Sequence, residues 1–98
     1  MTATRFAFIT DTHIGCDTTG WHMQPRFLGH DDALYDGLAR WLSEHDVAFV
    51  VHGGDVVDQG TQPQIDRAAE LLSRLRVPVY VCLGNHDLAQ PDSIDRWC

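Results

Sequence analysis

Residues 47–60 read VAFVVHGGDVVDQG, an apolar run that ends at two glycines and an acid. The run Val47–Val51 predicts a β-strand buried on both faces, and the glycines allow a tight turn before Asp55. Two further apolar runs, RFAFIT at 5–10 and VPVYVCL at 77–83, predict two more strands, and a polar cluster follows each. These three runs therefore set the framework of the fold.

Two amphipathic helices are predicted between the strands. The first spans Asp31–His45, and the second begins near Thr61 with Pro63 in its first turn. Their apolar stripes recur at helical spacing, and they comprise Leu34, Leu38, Trp41 and Leu42 in the first helix and Ile65, Ala68, Ala69, Leu72 and Leu75 in the second. The order β-α-β-α-β predicts an α/β unit with parallel strands and right-handed crossovers.

Length and composition indicate one small domain, 1–98, in a reducing compartment. The chain has 98 residues, a formal net charge of −7 and seven basic residues, all of them arginine. An acidic chain without a basic cluster is a poor candidate for nucleic-acid or membrane-surface binding. The N-terminus shows no signal peptide, no apolar stretch could span a bilayer, and three cysteines without C-x-x-C spacing favour the cytoplasm. Cys82 is predicted to be buried, and Cys98 to be exposed.

Three polar clusters follow the predicted strands: Asp11-Thr-His13, Gly54–Asp58 and Gly84–Asp87. Parallel strands place their carboxyl ends at one edge of a sheet, which is where open α/β sheets build their sites. We therefore expect the clusters to converge on one point. Carboxylate, imidazole and amide groups together predict a metal site with a nearby acid–base group.

The first two clusters offer metal ligands. Asp11 and His13 are two apart on an extended segment, so both side chains could hold one ion; the alternative is a surface turn. Asp55 carries two oxygens and could bridge two cations, or it could cap the following helix. Asp58 is predicted to be a loop acid or a support for a ligand. His52 is predicted to have a structural role, with support of a ligand as the alternative.

The third cluster, Gly84-Asn85-His86-Asp87, combines a sharp turn with three polar groups. Asn85 offers a neutral carbonyl oxygen to a metal, and His86 could contact substrate and give a proton to a departing oxygen. Asp87 could orient the His86 imidazole. The alternative is a polar turn, because glycine, asparagine and aspartate all favour turns.

In this order the three clusters resemble the first three motifs of the calcineurin-like metallophosphoesterases. The stretch VHGGDVVDQG at 51–60 is most similar to the branch with cyclic-nucleotide and glycerophosphodiester phosphodiesterases. The resemblance implies a four-layer α/β/β/α sandwich, of which this chain would be the N-terminal half. It also implies two divalent ions (Fe, Mn or Zn) that activate water for attack on phosphorus.

The resemblance also implies a role for each matched residue. Asp11 and His13 would bind the first metal, Asp55 would bridge both, and Asn85 would bind the second metal and lie against the substrate. His86, with Asp87, would be catalytic and would contact the phosphate. The substrate would be a small phosphodiester or phosphomonoester.

Members of the family continue into a second half with further metal-binding histidines, whereas no histidine follows His86 here. We therefore expect an N-terminal half with an incomplete site and one uncovered apolar sheet face, which favours a homo-oligomer. The alternative function is a non-catalytic interaction module or an inactive fragment that keeps the half-fold. A nuclease of the same superfamily fits less well, because the chain offers little positive charge for a phosphate backbone.

Overall fold

The structure, a computed structural model, describes residues 3–16 and 31–97. Within these ranges the elements are β1 (Phe6–Ile9), α1 (Asp31–Glu44), β2 (Phe49–His52), α2 (Gln62–Ser73), β3 (Val79–Val81) and α3 (Ser93–Trp97). The predicted alternation of strands and helices is confirmed. Helix α3 was not predicted, because the end of the chain has no clear apolar period. The residue Cys98, for which exposure was predicted, lies outside the described residues, as do Trp21, His22, Phe27 and His30.

The three strands form one parallel sheet in the order β1-β2-β3. Ile9 pairs with His52, and His52 pairs with Val81, so the three strands end in one row. Each polar cluster begins two or three residues beyond this row. The register therefore brings the three clusters to the same edge of the sheet, as the sequence predicted.

The core lies between the two long helices and one face of the sheet. Its buried residues come from the loops, the strands and the helices, and they are Ile14, Tyr35, Leu42, Val50, Val56, Val57, Ile65, Ala68, Leu71 and Leu75. Tyr35 and Leu71 were absent from the predicted stripes, whereas Trp41 was included but is 47% exposed. Trp41 instead stacks on His45, with ring centroids 4.1 Å apart.

The opposite face of the sheet carries exposed aromatic side chains. Phe6, Phe8 and Tyr80 are 59%, 62% and 61% exposed. Phe49 lies between two of them, 5.3 Å from the ring of Phe6 and 5.8 Å from that of Tyr80. The predicted burial of strand two on both faces is therefore wrong for the part of the chain that the structure describes.

Cys82 corrects a second burial prediction. It was expected to be a buried small hydrophobic residue, but its side chain is exposed. Side chains alternate along extended backbone, and Cys82 lies two residues after the exposed Tyr80. It therefore shares the uncovered side of the sheet.

Arginines join α1 to α2 at the surface. Arg67 and Arg74 both pair with Asp32 of α1, and both also pair with Glu70 of α2. Hydrogen bonds from Arg67 and then Arg74 lower the pKa of the Asp32 carboxyl. Because these groups are exposed to solvent, the pairs orient the helices more than they stabilise the fold.

Candidate metal centre

The first two clusters are joined by main-chain hydrogen bonds beyond the ends of β1 and β2. The N–H of Asp11 donates to the carbonyl of Gly54 at 2.9 Å, and the N–H of His13 donates to that of Asp55 at 3.0 Å. Ile14 continues the pairing toward α2. Two loops more than forty residues apart are thus fixed side by side, which sets the spacing of their side chains.

Three predicted ligands have left-handed backbone conformations. The φ angles are 57° at Asp11, 47° at His13 and 52° at Asp55. Among the described non-glycine residues only Asp46 and Arg76 share this feature. A residue without glycine's freedom adopts such a φ at a cost, and such residues cluster at functional sites. Three such residues at one edge of the sheet make that edge a candidate functional site.

The donor atoms around His13 are spaced for a metal ion. Its Nε2 lies 3.8 Å from Oδ1 of Asp11 and 3.9 Å from Oδ2 of Asp55. Two donors that each lie about 2.1 Å from one ion are at most about 4.2 Å apart, so both pairs fit a shared ion. One donor atom each from His13, Asp55 and His86 also lie within 4.8 Å of one another.

Asp58 contacts both histidines of the site. Its carboxylate Oδ1 lies 3.1 Å from Nδ1 of His13, and its main-chain carbonyl lies 2.7 Å from Nδ1 of His86. With an oxygen partner at each Nδ1, Nε2 is the nitrogen of each ring that is left to bind an ion. A carboxylate behind a ligating imidazole fixes the ring and raises its basicity. Of the two roles predicted for Asp58, support of a ligand is the one that matches this geometry.

Asp55 also connects the second cluster to the third. Its Oδ1 accepts a hydrogen bond from the N–H of His86 at 3.0 Å. A Cβ on Gly84 would overlap that same oxygen and lie 2.8 Å from the Asp55 nitrogen. Only glycine therefore lets the third cluster approach this closely, and the approach leaves Oδ2 of Asp55 directed at His13.

Asp87 makes contacts other than the predicted one. Its carboxylate oxygens accept hydrogen bonds from the N–H groups of Val57 and Gly84, both at 2.9 Å. It is fully buried, so both oxygens are used to hold main chain, and the expected contact with His86 is replaced by the Asp58 carbonyl. Adjacent side chains of this turn diverge, and Asp87 faces inward. The indole of Trp97 donates to the Asp87 carbonyl at 3.0 Å.

Asp11 and Asn85 are the exposed members of the predicted ligand set. The hydroxyl of Thr10 donates to Oδ2 of Asp11 at 2.6 Å and is the main cause of a lowered pKa for that carboxyl. The proximity of His13 acts in the same direction. Asp11 is therefore favoured in the charged form that a metal requires. Asn85 follows Gly84 in the turn of the third cluster.

Comparison with known proteins agrees with this geometry. The family model for the calcineurin-like phosphoesterases matches residues 4–97. The chain belongs to this family. Its α/β unit corresponds to a half of the phosphoesterase fold, with one sheet and one helical layer among the described residues.

A curated relative is a probable cyclic nucleotide phosphodiesterase of Rhodopseudomonas palustris. The two sequences are 37% identical over 86 residues, which cover 85% of this chain and 29% of the relative. The chain thus spans less than a third of the length of that relative. Among the described residues, no helix has both the length and the apolar character needed to cross a bilayer.

Proposed function

We propose that this chain carries half of a dinuclear metal centre for the hydrolysis of phosphoesters. The observation that supports the proposal most directly is the convergence of His13, Asp55 and His86 within 4.8 Å, at the edge where three parallel strands end. The family match supports the reaction class. Asp11, His13 and Asp55 would hold one divalent ion, and Asp55 and Asn85 a second, with iron, manganese and zinc all suited to this mixture of donors.

The side chains of the proposed metal centre differ in charge, and each is suited to its proposed role. Bound divalent ions would neutralise phosphate charge and lower the pKa of water. Asp11 and Asp55 supply negative charge, while His13 supplies a neutral donor that Asp58 orients. Asp87 is a positioning residue, because it holds the main chain of the second and third clusters together.

His86 is the proposed proton donor to the leaving oxygen. Its Nδ1–H donates to the Asp58 carbonyl, so Nε2 is the nitrogen free to face a substrate. In the imidazolium form Nε2 carries the transferable proton. In the neutral form the same atom is a metal donor, which agrees with the proximity of His86 to His13 and Asp55.

A phosphodiester is the proposed substrate, with a phosphomonoester as the alternative. The name of the Rhodopseudomonas relative supports a phosphodiester, together with the resemblance of residues 51–60 to the phosphodiesterase branch. The cytoplasmic location stays a prediction.

Metal stoichiometry and hydrolysis test this function together. The protein is loaded with Mn²⁺, and bound metal is measured alongside hydrolysis of bis(p-nitrophenyl) phosphate. Asp55→Ala should abolish both, whereas Asp66→Ala, which removes an exposed acid from α2, should change neither. Metal binding and hydrolysis that survive in Asp55→Ala would refute the proposal.

A non-catalytic interaction module is the second candidate, and the exposed aromatic face of the sheet favours it. The two candidates differ in their response to metal removal. A module assembled through that face should keep its assembly state after treatment with a chelator and should show no metal-dependent hydrolysis.

A further inference from the structure

His52 is a fully buried histidine for which the proposed chemistry has no use. Buried polar atoms need hydrogen-bond partners, and both nitrogens of this ring have one. Nε2 lies 3.0 Å from the hydroxyl of Thr12, and Nδ1 accepts from the N–H of Gly54 at 3.1 Å. The imidazole therefore connects the first cluster to the second.

The partners of His52 determine its protonation state. A main-chain N–H only donates, so Nδ1 must offer a lone pair to Gly54, and the single ring proton sits on Nε2. A second proton at Nδ1 would face the N–H of Gly54. Burial, the main influence on this group, lowers its pKa, although the charges of Asp87, Asp11 and Asp55 act in the opposite direction. Contacts and burial both specify the neutral Nε2–H form.

The hydroxyl of Thr12 completes the network. It donates to the carbonyl of Val56 at 2.9 Å, and it accepts from Nε2–H of His52 and from the hydroxyl of Tyr35 at 3.2 Å. One proton and two lone pairs are all that a threonine hydroxyl has. Tyr35 is fully buried in α1, so the network also ties the two loops to a helix.

These bonds fall on the neighbours of the proposed ligands. Thr12 lies between Asp11 and His13, and Gly54 and Val56 lie on either side of Asp55. We propose that His52, as a neutral imidazole protonated on Nε2, is a positioning residue that holds the two ligand-bearing loops in register through Thr12 and Gly54. Its effect on metal binding rests on the proposed function, whereas its tautomer and its hold on the loops do not.

The first test needs no metal and begins with the unaltered protein. Nitrogen NMR of the histidine rings at pH 7.5 should show His52 as the neutral Nε2–H tautomer, with a nitrogen–nitrogen coupling across the hydrogen bond from the Gly54 N–H to Nδ1. A protonated ring, or the Nδ1–H tautomer, would overturn the proposal.

Variants then test the hold on the loops. His52→Asn keeps an acceptor near Gly54 but cannot reach Thr12, and Thr12→Val removes the shared hydroxyl. Both variants should shift the amide NMR signals of His13 and Asp55. In Thr12→Ser, which keeps the hydroxyl that Thr12→Val removes, these signals should lie where they do in the unaltered protein. Ile65→Val, a core change in α2, is the control for a general loss of stability. If Ile65→Val shifts the signals of His13 and Asp55 as much as His52→Asn and Thr12→Val do, His52 has only a general structural role.

Metal binding separates this inference from the proposed function. Thr12→Val should bind Mn²⁺ at least about tenfold more weakly than the unaltered protein, in the range seen for groups that orient ligands, and Thr12→Ser should restore the affinity. The absorption spectrum of bound Co²⁺ should also change in Thr12→Val. In Ile65→Val, both the Mn²⁺ affinity and the Co²⁺ spectrum should match those of the unaltered protein. Unchanged affinity and spectrum in Thr12→Val would overturn the positioning role. Failure of the unaltered protein to bind metal would refute the proposed function, and the NMR outcomes would still decide the role of His52.

Discussion

Asp58 shows how one residue can support two others at the scale of single side chains. Its carboxylate lies against His13, and its carbonyl lies against His86. Asp58→Asn keeps a hydrogen-bond acceptor for His13 but removes the negative charge behind the ring. Because that charge raises ligand basicity, we expect Mn²⁺ affinity to fall by about 10- to 100-fold, as measured by isothermal titration calorimetry.

Asp66→Asn is the matched control for this change. It removes the same charge from the exposed surface of α2, where Asp66 accepts a hydrogen bond from the side chain of Gln62. If both variants weaken Mn²⁺ binding equally, the effect comes from net charge, and the support assigned to Asp58 is wrong.

Gly84 allows the close approach of the third cluster to Asp55. Gly84→Ala would place a methyl group against the Asp55 carboxylate, so the turn or the carboxylate must shift. We expect weaker Mn²⁺ binding and a loss of hydrolysis in a protein that still folds. Gly37→Ala is the control, because outside its own stretch of helix no described residue lies within 4 Å of a Cβ there. Alanine should stabilise α1 by about 0.5–1 kcal/mol. Equal metal affinity in the two variants would contradict the steric argument.

Burial of neutral His52 predicts a pH dependence of stability. Its folded pKa lies below the ordinary value of 6.5, so the unfolded chain binds more protons as the pH falls through that value. The contribution of His52 is therefore complete above about pH 6.5 and is lost progressively below it. The free energy of unfolding in urea should differ less between pH 7.5 and pH 5.5 in His52→Asn than in the unaltered protein. An equal difference in the two proteins would show that groups other than His52 cause the loss of stability at low pH.

The sequence was informative about which residues gather and less so about what each one touches. The parallel order of the strands was enough to bring Asp11, His13, Asp55 and His86 to one edge. The partner of His86 depended on which way adjacent side chains of a turn point, and spacing alone does not give that direction. Thr12 was overlooked because its hydroxyl has a function only once Val56 and His52 are placed beside it.

The same contrast appears at the scale of elements. Periodicity located α1 and α2, but it ranked Trp41 as core and passed over Tyr35. Trp41 lies near the end of α1, where it stays half exposed and stacks on His45. Tyr35 is buried because Thr12 satisfies its hydroxyl, and helical spacing does not reveal a partner in another loop.

Leu71 is where α2 contributes most clearly to the core, since it is fully buried. Leu71→Ala removes that packing and leaves a cavity, so we expect a loss of about 2–5 kcal/mol in the free energy of unfolding, measured by urea denaturation. Ile94→Ala, at a position of α3 that is mostly exposed, should change it by less than about 0.5 kcal/mol. A similar loss in both variants would mean that the core does not lie where the structure places it.

At the scale of the whole molecule, the site and the uncovered sheet face are separate features. The proposed ligands come from loops at the carboxyl ends of the strands, whereas the exposed aromatic side chains stand on one face of the sheet. Phe6 begins β1 and is therefore at the far end of its strand from Asp11. Changes at Phe6 should leave the loops that carry the ligands in place.

This separation gives a prediction for self-association. Contiguous exposed apolar surface favours association, so we expect the 98-residue chain to form oligomers through the face that carries Phe6, Phe49 and Tyr80. Phe6→Lys places a charge in that face and should shift sedimentation toward the monomer, with Mn²⁺ affinity unchanged. Trp41→Lys is the control, because it replaces an exposed aromatic residue of α1 and should keep the oligomer. Oligomers that persist in Phe6→Lys but dissociate in Trp41→Lys would place the contact on the helical side instead.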